Sequence, residues 1–304
     1  MLSILIPLYN YNAVNLVNQL HKQAKAAGID FEILLLDDNS DSTCKRDNLI
    51  LSSLSNTTLF ELPTKAGRAI ARNYLAGQAK YDHFLFLDCD SEPIDDLFIK
   101  RYLPYCQYQD VVVCGGTAYK PQKPKQNAYL RWRYGVKCET KSAQQRNKVP
   151  NAKFSTFNFL ISRELFMSIR FNELLRNYGH EDTLFGLELQ KRNHVITHID
   201  NPLFHTGIDP NEVYLEKTRQ GVKNLKILLD QYPNRDELIK NIRLLHYYNF
   251  LEKTHTTLIF FIAFRFLKKI MLANFNSVYP NLSLFNLYKL GYLCSLKYQK
   301  LIEI

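Results

Sequence analysis

The first 120 residues alternate short, unbroken apolar runs with segments of helical periodicity, and no other feature limits the possible fold so strongly. Leu2–Leu8, Phe31–Leu36, Phe84–Leu87 and Val111–Cys114 read as strands apolar on both faces. Between them, Asn12–Ala27 places Val14, Val17, Leu20, Ala24 and Ala27 at helical spacing, with Gly28 positioned to end the helix, and Gly67–Ala79 reads as a second helix. Strands joined by helical crossovers form a parallel sheet covered on both sides. In such sheets ligands bind beyond the carboxyl ends of the strands.

The pattern breaks at residues 120–153, where Pro121, Pro124 and Pro150 mix with basic groups and with Tyr129, Trp132 and Tyr134; a long, partly ordered loop is expected there. Phe157–Ile161 resumes as a strand, followed by a helix from Arg163, a helix over Thr183–Lys191 and a strand over Val195–Ile199. From residue 211 onward the expected helices are Tyr214–Leu229, Asp236–Phe250 and Leu258–Leu272.

Composition narrows the class. The chain has 304 residues, 46% hydrophobic and 22% charged, which is globular rather than disordered. Its six cysteines show neither CxxC pairs nor zinc-type spacing, which fits a reducing cytoplasm. Met1–Pro7 lacks a basic start and is expected to be a strand, not a secretory leader. The net charge of +10 is unevenly spread. Residues 1–119 carry 10 basic and 14 acidic groups, and residues 154–252 carry 12 and 13. Residues 120–153 carry 10 basic groups and only Glu139; residues 253–304 carry 7 and only Glu303. The predicted sheet is therefore mildly acidic, and the positive charge belongs to a loop and a tail.

Four polar clusters fall at strand ends or helix starts: Pro7-Leu8-Tyr9-Asn10, Asp37-Asp38-Asn39-Ser40, Asp88-Cys89-Asp90 and Gly179-His180-Glu181-Asp182. Carboxylates converging on one sheet edge repel unless a cation sits among them, and hard oxygen ligands suit a divalent ion. Alternate strand residues point the same way, so Asp88 and Asp90 are expected to face one ligand.

In order and approximate spacing these blocks resemble family 2 glycosyltransferases of the GT-A fold. The resemblance rests on Ser3–Asn10, Glu32–Ser40, Gly67–Asn73 and Phe86–Asp90, then Asn158-Phe159-Leu160 and Glu181-Asp182, and covers roughly residues 1–210. Asn39 stands where the family usually has glycine. The implied fold is α/β, a GT-A-type Rossmann-like, mostly parallel sheet flanked by helices, with a helical C-terminal extension. The implied domains are a catalytic domain over 1–210, with a nucleotide-sugar half at 1–119 and an acceptor half at 154–210, and a basic helical region over 211–304.

The resemblance implies inverting sugar transfer from a nucleotide diphosphate sugar of the UDP or GDP type to a saccharide or lipid-linked saccharide, as in bacterial surface polysaccharide synthesis. Carried over residue by residue, Pro7, Tyr9, Asn10, Asp37 and Asp38 would surround the nucleoside. Asp88 would meet ribose or bound water and, with Asp90, hold Mn²⁺ or Mg²⁺, and His205 falls where some relatives add a metal ligand. Asp182 would be the base with Glu181 beside it, and Asn158 would belong to the acceptor half.

The chemistry of the residues agrees. A metal neutralises a diphosphate leaving group, a carboxylate takes the acceptor's proton, and one base opposite the leaving group gives inversion. Arg68 and Arg72, four residues apart at a helix start, are placed to add charge toward the phosphates. Trp132, with Arg131, Arg133 and Tyr134, is a candidate acceptor contact or else part of a packed loop. Leu258–Leu272 is either an interfacial membrane segment or a helical hairpin on the catalytic domain. Two other functions compete. Sugar-phosphate nucleotidyl transfer would want a Gly-rich basic loop, which Pro7–Val14 lacks; nucleic-acid binding fits the basic charge, but no binding motif supports it and no nucleic-acid partner is expected. A catalytically silent, glycosyltransferase-like partner subunit is a third possibility, against which the intact Asp90 and Asp182 argue.

Overall fold

The computed structural model describes residues 1–173 and 179–298. Their elements run β1 (Leu2–Leu8), α1 (Val14–Ala26), β2 (Phe31–Asp37), α2 (Ser42–Leu49), β3 (Thr57–Glu61), α3 (Arg68–Gln78), β4 (His83–Leu87), β5 (Ser91–Pro93), β6 (Val112–Cys114), β7 (Thr117–Ala118), α4 (Tyr129–Tyr134), α5 (Ala143–Arg146), β8 (Asn158–Ser162), α6 (Arg163–Ile169), α7 (Glu181–Lys191), β9 (Thr197–His198) and β10 (Leu203–His205). Five helices follow among the described residues: α8 (Asn211–Gln231), α9 (Arg235–Asn241), α10 (Arg243–Lys253), α11 (Thr257–Phe275) and α12 (Leu282–Lys297). They form two compact units. The first is Met1–Pro121, Cys138–Arg176 and Glu181–Gly207; the second is Gln122–Lys137, Asn177–His180 and Ile208–Ile304.

The first unit is a seven-stranded sheet in the order β3-β2-β1-β4-β8-β6-β9. β1 pairs in parallel with β2 and β4, and β2 with β3; β8 runs antiparallel between β4 and β6. Period-two alternation divides the strands between two cores. Leu2, Ile4, Ile6 and Leu8 face one with Leu16, Val17 and Leu20 of α1. Leu5, Leu34 and Leu36 face the other, an aromatic layer including Phe84, Phe86, Phe159, Phe166 and Phe185. Rings in that layer stack closely, with Phe86 and Phe159 4.9 Å apart and Phe171 and Phe185 4.7 Å apart. The chain winds outward from β1 to β3, then returns to β4 on the other side of β1. That reversal, between β1 and β4, is a topological switch point, beyond which sheets of this kind bind their ligands.

Local signals explain the helix ends. Gly28, at φ 64°, closes α1 as expected. The Asp41 carboxylate accepts from Cys44 N at 2.9 Å to start α2. A second sheet, β5-β10-β7, has β10 in its centre and comes directly after the Asp88–Asp90 turn.

Three expectations are corrected. Residues 120–153 are not a partly ordered loop: α4 runs into a π-helical turn at Gly135–Glu139, and α5 has a full capping box made by Ser142 and Gln145. Asp236–Phe250 is two helices, α9 and α10, broken where Ile242 turns extended. Only Thr197–His198 of Val195–Ile199 joins the ladder.

In the second unit, Leu130, Tyr214, Leu215, Phe264, Met271, Phe275, Phe285 and Tyr288 form a core. Buried Asn211 ties it together, accepting from Leu130 N at 3.1 Å and donating to Phe275 O at 3.0 Å. A Cβ on Gly291 of α12 would fall 2.3 Å from the Phe264 ring, so this glycine allows α11 and α12 to meet. Among the described residues, no helix is long and apolar enough to cross a membrane.

Candidate active site

At the end of β2 the two aspartates have different duties. Asp37 accepts from Ser40 N at 2.6 Å, while its Oδ2 is buried with no hydrogen-bond partner among the described residues. Such an orphan acceptor is costly and is typical of functional sites. Asp38 accepts from Ala66 N at 2.6 Å and Gly67 N at 2.9 Å, so it holds the loop that starts α3. Gly67, at φ 96°, turns that loop into the helix.

At the end of β1, Pro7 lies opposite Leu36, past the point where pairing with β4 has ended, so its missing N–H costs no ladder bond. Tyr9 is 44% exposed, with Lys65 Nζ 3.5 Å from its ring centre. Asn10, at φ 48°, accepts from Asp41 N at 2.8 Å and binds the two turns together.

The strand alternation expected for Asp88 and Asp90 does not hold, because β4 ends at Leu87 and both residues sit in a turn. They face different partners. Asp88 Oδ1 accepts from Arg72 Nη2 at 2.7 Å. Asp90 Oδ2 lies 3.6 Å from His205 Nε2. Cys89 between them is held as the neutral thiol, its pKa pushed up by burial and then by the Asp90 and Asp88 carboxylates.

Arg72 overturns the expectation that the α3 arginines face phosphate. It is fully buried, and besides Asp88 it pairs with Glu181 Oε1 at 3.4 Å. It thus joins the donor-side turn to the first turn of α7. Arg68, in contrast, is exposed. Asp182, beside Glu181, accepts from Thr183 N at 2.7 Å. Burial, then the neighbouring Glu181 carboxylate, raise its pKa to about 6, against the pull of the Thr183 hydrogen bonds and Arg72. A carboxylate tuned there suits proton transfer near neutral pH.

The residues that surround His205 and Asp90 were missed. The His205 ring is stacked between Tyr119 at 5.5 Å and Phe157 at 5.3 Å, which fixes its plane. Thr206 donates its N–H and its hydroxyl to Asp90 O, both at 2.8 Å, and its hydroxyl also meets Tyr11 OH at 2.8 Å. A Cβ on Gly207 would fall 2.4 Å from Asp90 Oδ2, so the chain runs hard against that carboxylate. The motif Phe204-His205-Thr206-Gly207 drew attention to its histidine alone; ring stacking and backbone approach leave no local pattern.

Asn158 is also reassigned. It is buried, accepting from Tyr102 OH at 2.6 Å and donating to Gly116 O at 3.2 Å and Asn201 O at 2.9 Å, so both of its amide hydrogens are committed within the first unit and neither is left for an acceptor sugar. A Cβ on Gly115 would reach within 2.5 Å of this knot. Trp132 stands on α4 in the second unit, 6.5 Å from Tyr129.

Among the described residues, no three His, Cys, Asp or Glu side chains make a metal cage. Asp90 and His205 nevertheless offer one oxygen and one nitrogen ligand, both partly exposed, with Asp90 held by the backbone at Gly207. That donor set fits a divalent ion whose remaining ligands come from phosphate and water.

A family model for glycosyl transferase family 2 matches residues 3–170, more than half of the chain. The chain belongs to glycosyl transferase family 2. The match ends before Glu181, Asp182 and His205. An uncharacterized glycosyltransferase of Haemophilus influenzae is 27% identical over 195 residues, 63% of this chain and 72% of that one. Two solved structures share the GT-A fold. The mannosyltransferase PcManGT of Pyrobaculum calidifontis, in complex with GDP-Man and Mn²⁺, has a TM-score of 0.58 at 12% identity and covers 98% of this chain and 86% of its own. S. aureus TarS 1-349 has a TM-score of 0.52 at 20% identity, over 79% and 69%. This chain is a glycosyltransferase, with the expected α/β, mostly parallel sheet.

Proposed function

We propose that this glycosyltransferase inverts the anomeric centre in a single displacement, moving a sugar from a UDP- or GDP-sugar to a hydroxyl of a saccharide or lipid-linked saccharide. The observation that carries the reading is the buried Arg72 bridge between Asp88 and Glu181. It joins a turn suited to the donor to the helix start that carries Asp182, whose pKa is raised to about 6. Nucleotide sugars in the related structures, UDP-GlcNAc in one and GDP-Man in another, support the donor class.

In this mechanism Tyr9 and the turns at Asn10 and Asp37–Ser40 receive the nucleoside, and Arg68 adds charge toward the diphosphate. Asp90 and His205 would hold Mn²⁺ or Mg²⁺, which when bound neutralises charge on the leaving diphosphate. Asp182 Oδ2 takes the proton of the acceptor hydroxyl as its oxygen attacks the anomeric carbon. Arg72 keeps Glu181 and Asp88 in place beside it. No covalent intermediate on the protein is needed. Surface polysaccharide synthesis in the cytoplasm is the setting this chemistry would serve.

Thermal shift with UDP, GDP and their sugars, with and without Mn²⁺, tests the donor, since a ligand of the folded state raises the melting temperature by mass action. NMR of the product tests the outcome: its anomeric configuration is expected to be opposite to the donor's. Retained configuration would remove the single-displacement mechanism.

A further inference from the structure

Helix α11 is apolar on two opposite faces. Thr257, Phe261, Phe264, Met271 and Phe275 form its buried stripe. On the far side, Ile259, Ile262, Phe266 and Ile270 are 68, 46, 78 and 65% exposed. Their spacing of three, four and four residues aligns them as one ridge, about half a turn from the buried stripe. A helix that only packs on its own core carries polar residues there. Exposed Arg265 and Lys269 flank the ridge, and no acidic residue occurs from 253 to 302.

The charge selects the occupant. A second copy docked on this ridge would bring two basic flanks together with no counter-charge. A bilayer interface offers an apolar boundary for the ridge and anionic headgroups for the cations. With Arg265, Lys268 and Lys269 in its 19 residues the helix is too charged to cross, so it would lie in the plane.

We propose that α11 is a docking surface for an anionic lipid bilayer, with Ile259, Ile262, Phe266 and Ile270 at the boundary between headgroups and acyl chains, and Arg265 and Lys269 on the lipid phosphates. The inference goes beyond the transfer reaction and is read independently of it.

Flotation of the purified full-length chain with vesicles of phosphatidylcholine, alone or mixed with phosphatidylglycerol, tests this. The chain is expected to float with the mixed vesicles, less with phosphatidylcholine alone and less at high salt. Ile259→Gln, Phe266→Gln and Ile270→Gln together should lower the bound fraction about tenfold or more, given the apolar area they remove. That triple variant should keep the wild-type melting temperature, which separates lost docking from lost folding. Arg265→Glu with Lys269→Glu should abolish the preference for phosphatidylglycerol. Wild type that stays at the bottom of both gradients, or a triple variant that floats equally well, would overturn the proposal. So would a wild-type dimer that neither floats nor survives the triple substitution, which would give the ridge to a second copy.

Discussion

The strand-end cluster of the first unit and the α11 ridge of the second both gather charge, and they handle it in opposite ways. In the cluster the carboxylates are held by protein groups: Asp38 by two backbone N–H groups, Asp88 and Glu181 by Arg72. On the ridge, Arg265 and Lys269 are exposed beside bare apolar side chains. Held charge fixes geometry, and exposed charge is free to recruit. The same residue type does both jobs. Arg72 is part of the frame, as is Arg146, which donates to Cys114 O, Gly115 O and Ile199 O and meets His198 Nδ1. The basic segment at 120–153 thus devotes at least one of its cations, Arg146, to structure.

The largest expected effect separates chemistry from folding within the cluster. Asp182→Asn should lower kcat by roughly 10²- to 10⁴-fold, the usual contribution of a general base, in a direct transfer assay. It should not unfold the chain. The folded protein holds the Asp182 proton up to about pH 6, whereas an unfolded aspartate releases it near its ordinary 3.8. Stability from this group is therefore complete below that lower value and lost as pH rises through about 6. At pH 7 the asparagine variant should melt slightly higher, by on the order of 1 kcal/mol. A lower melting temperature would mean that Asp182 belongs to the frame.

Next in size is the frame itself. Arg72→Met leaves Asp88 and Glu181 without their cation and should cost about 3 kcal/mol in denaturant unfolding, as breaking a buried ion pair does. Arg265→Glu on α11 should change stability by no more than about 0.5 kcal/mol. If the two arginine variants unfolded alike, the contrast between held and exposed charge would fail.

A smaller effect concerns the pocket beside Asp90. Gly207→Ala must push the Asp90 carboxylate aside and should cost about 1–3 kcal/mol. The Mn²⁺-dependent part of the nucleotide thermal shift should fall with it; an unchanged shift would move the metal away from Asp90. Smallest is the pH profile: kcat/KM should rise through about pH 6 as Asp182 ionises and then level off. A profile flat from pH 5 to about pH 8 would exclude Asp182 as the titrating base.

Much of the first unit was legible because buried parallel strands are written as unbroken apolar runs, and β1, β2 and β4 stand where those runs fall. β3 was not seen: Thr57–Glu61 is a half-exposed edge strand with no such run. Polar strand ends were legible as positions but not as roles. Asp-x-Asp suggested two carboxylates on one ligand, and the turn at Cys89 gave them separate partners.

The α/β class, the strand ends at which the candidate site lies, and the family membership could all be read from the residues in order along the chain. These depend on local periodicity and on short motifs carried by contiguous residues. Packing alone shows that Arg72 is buried between Asp88 and Glu181, that Asn158 gives both amide hydrogens to Gly116 and Asn201, and that the outer face of α11 is left bare. Each of those facts joins residues far apart in the chain, or depends on which of two apolar faces a helix turns inward. Periodicity alone cannot choose between faces when both are apolar; packing does.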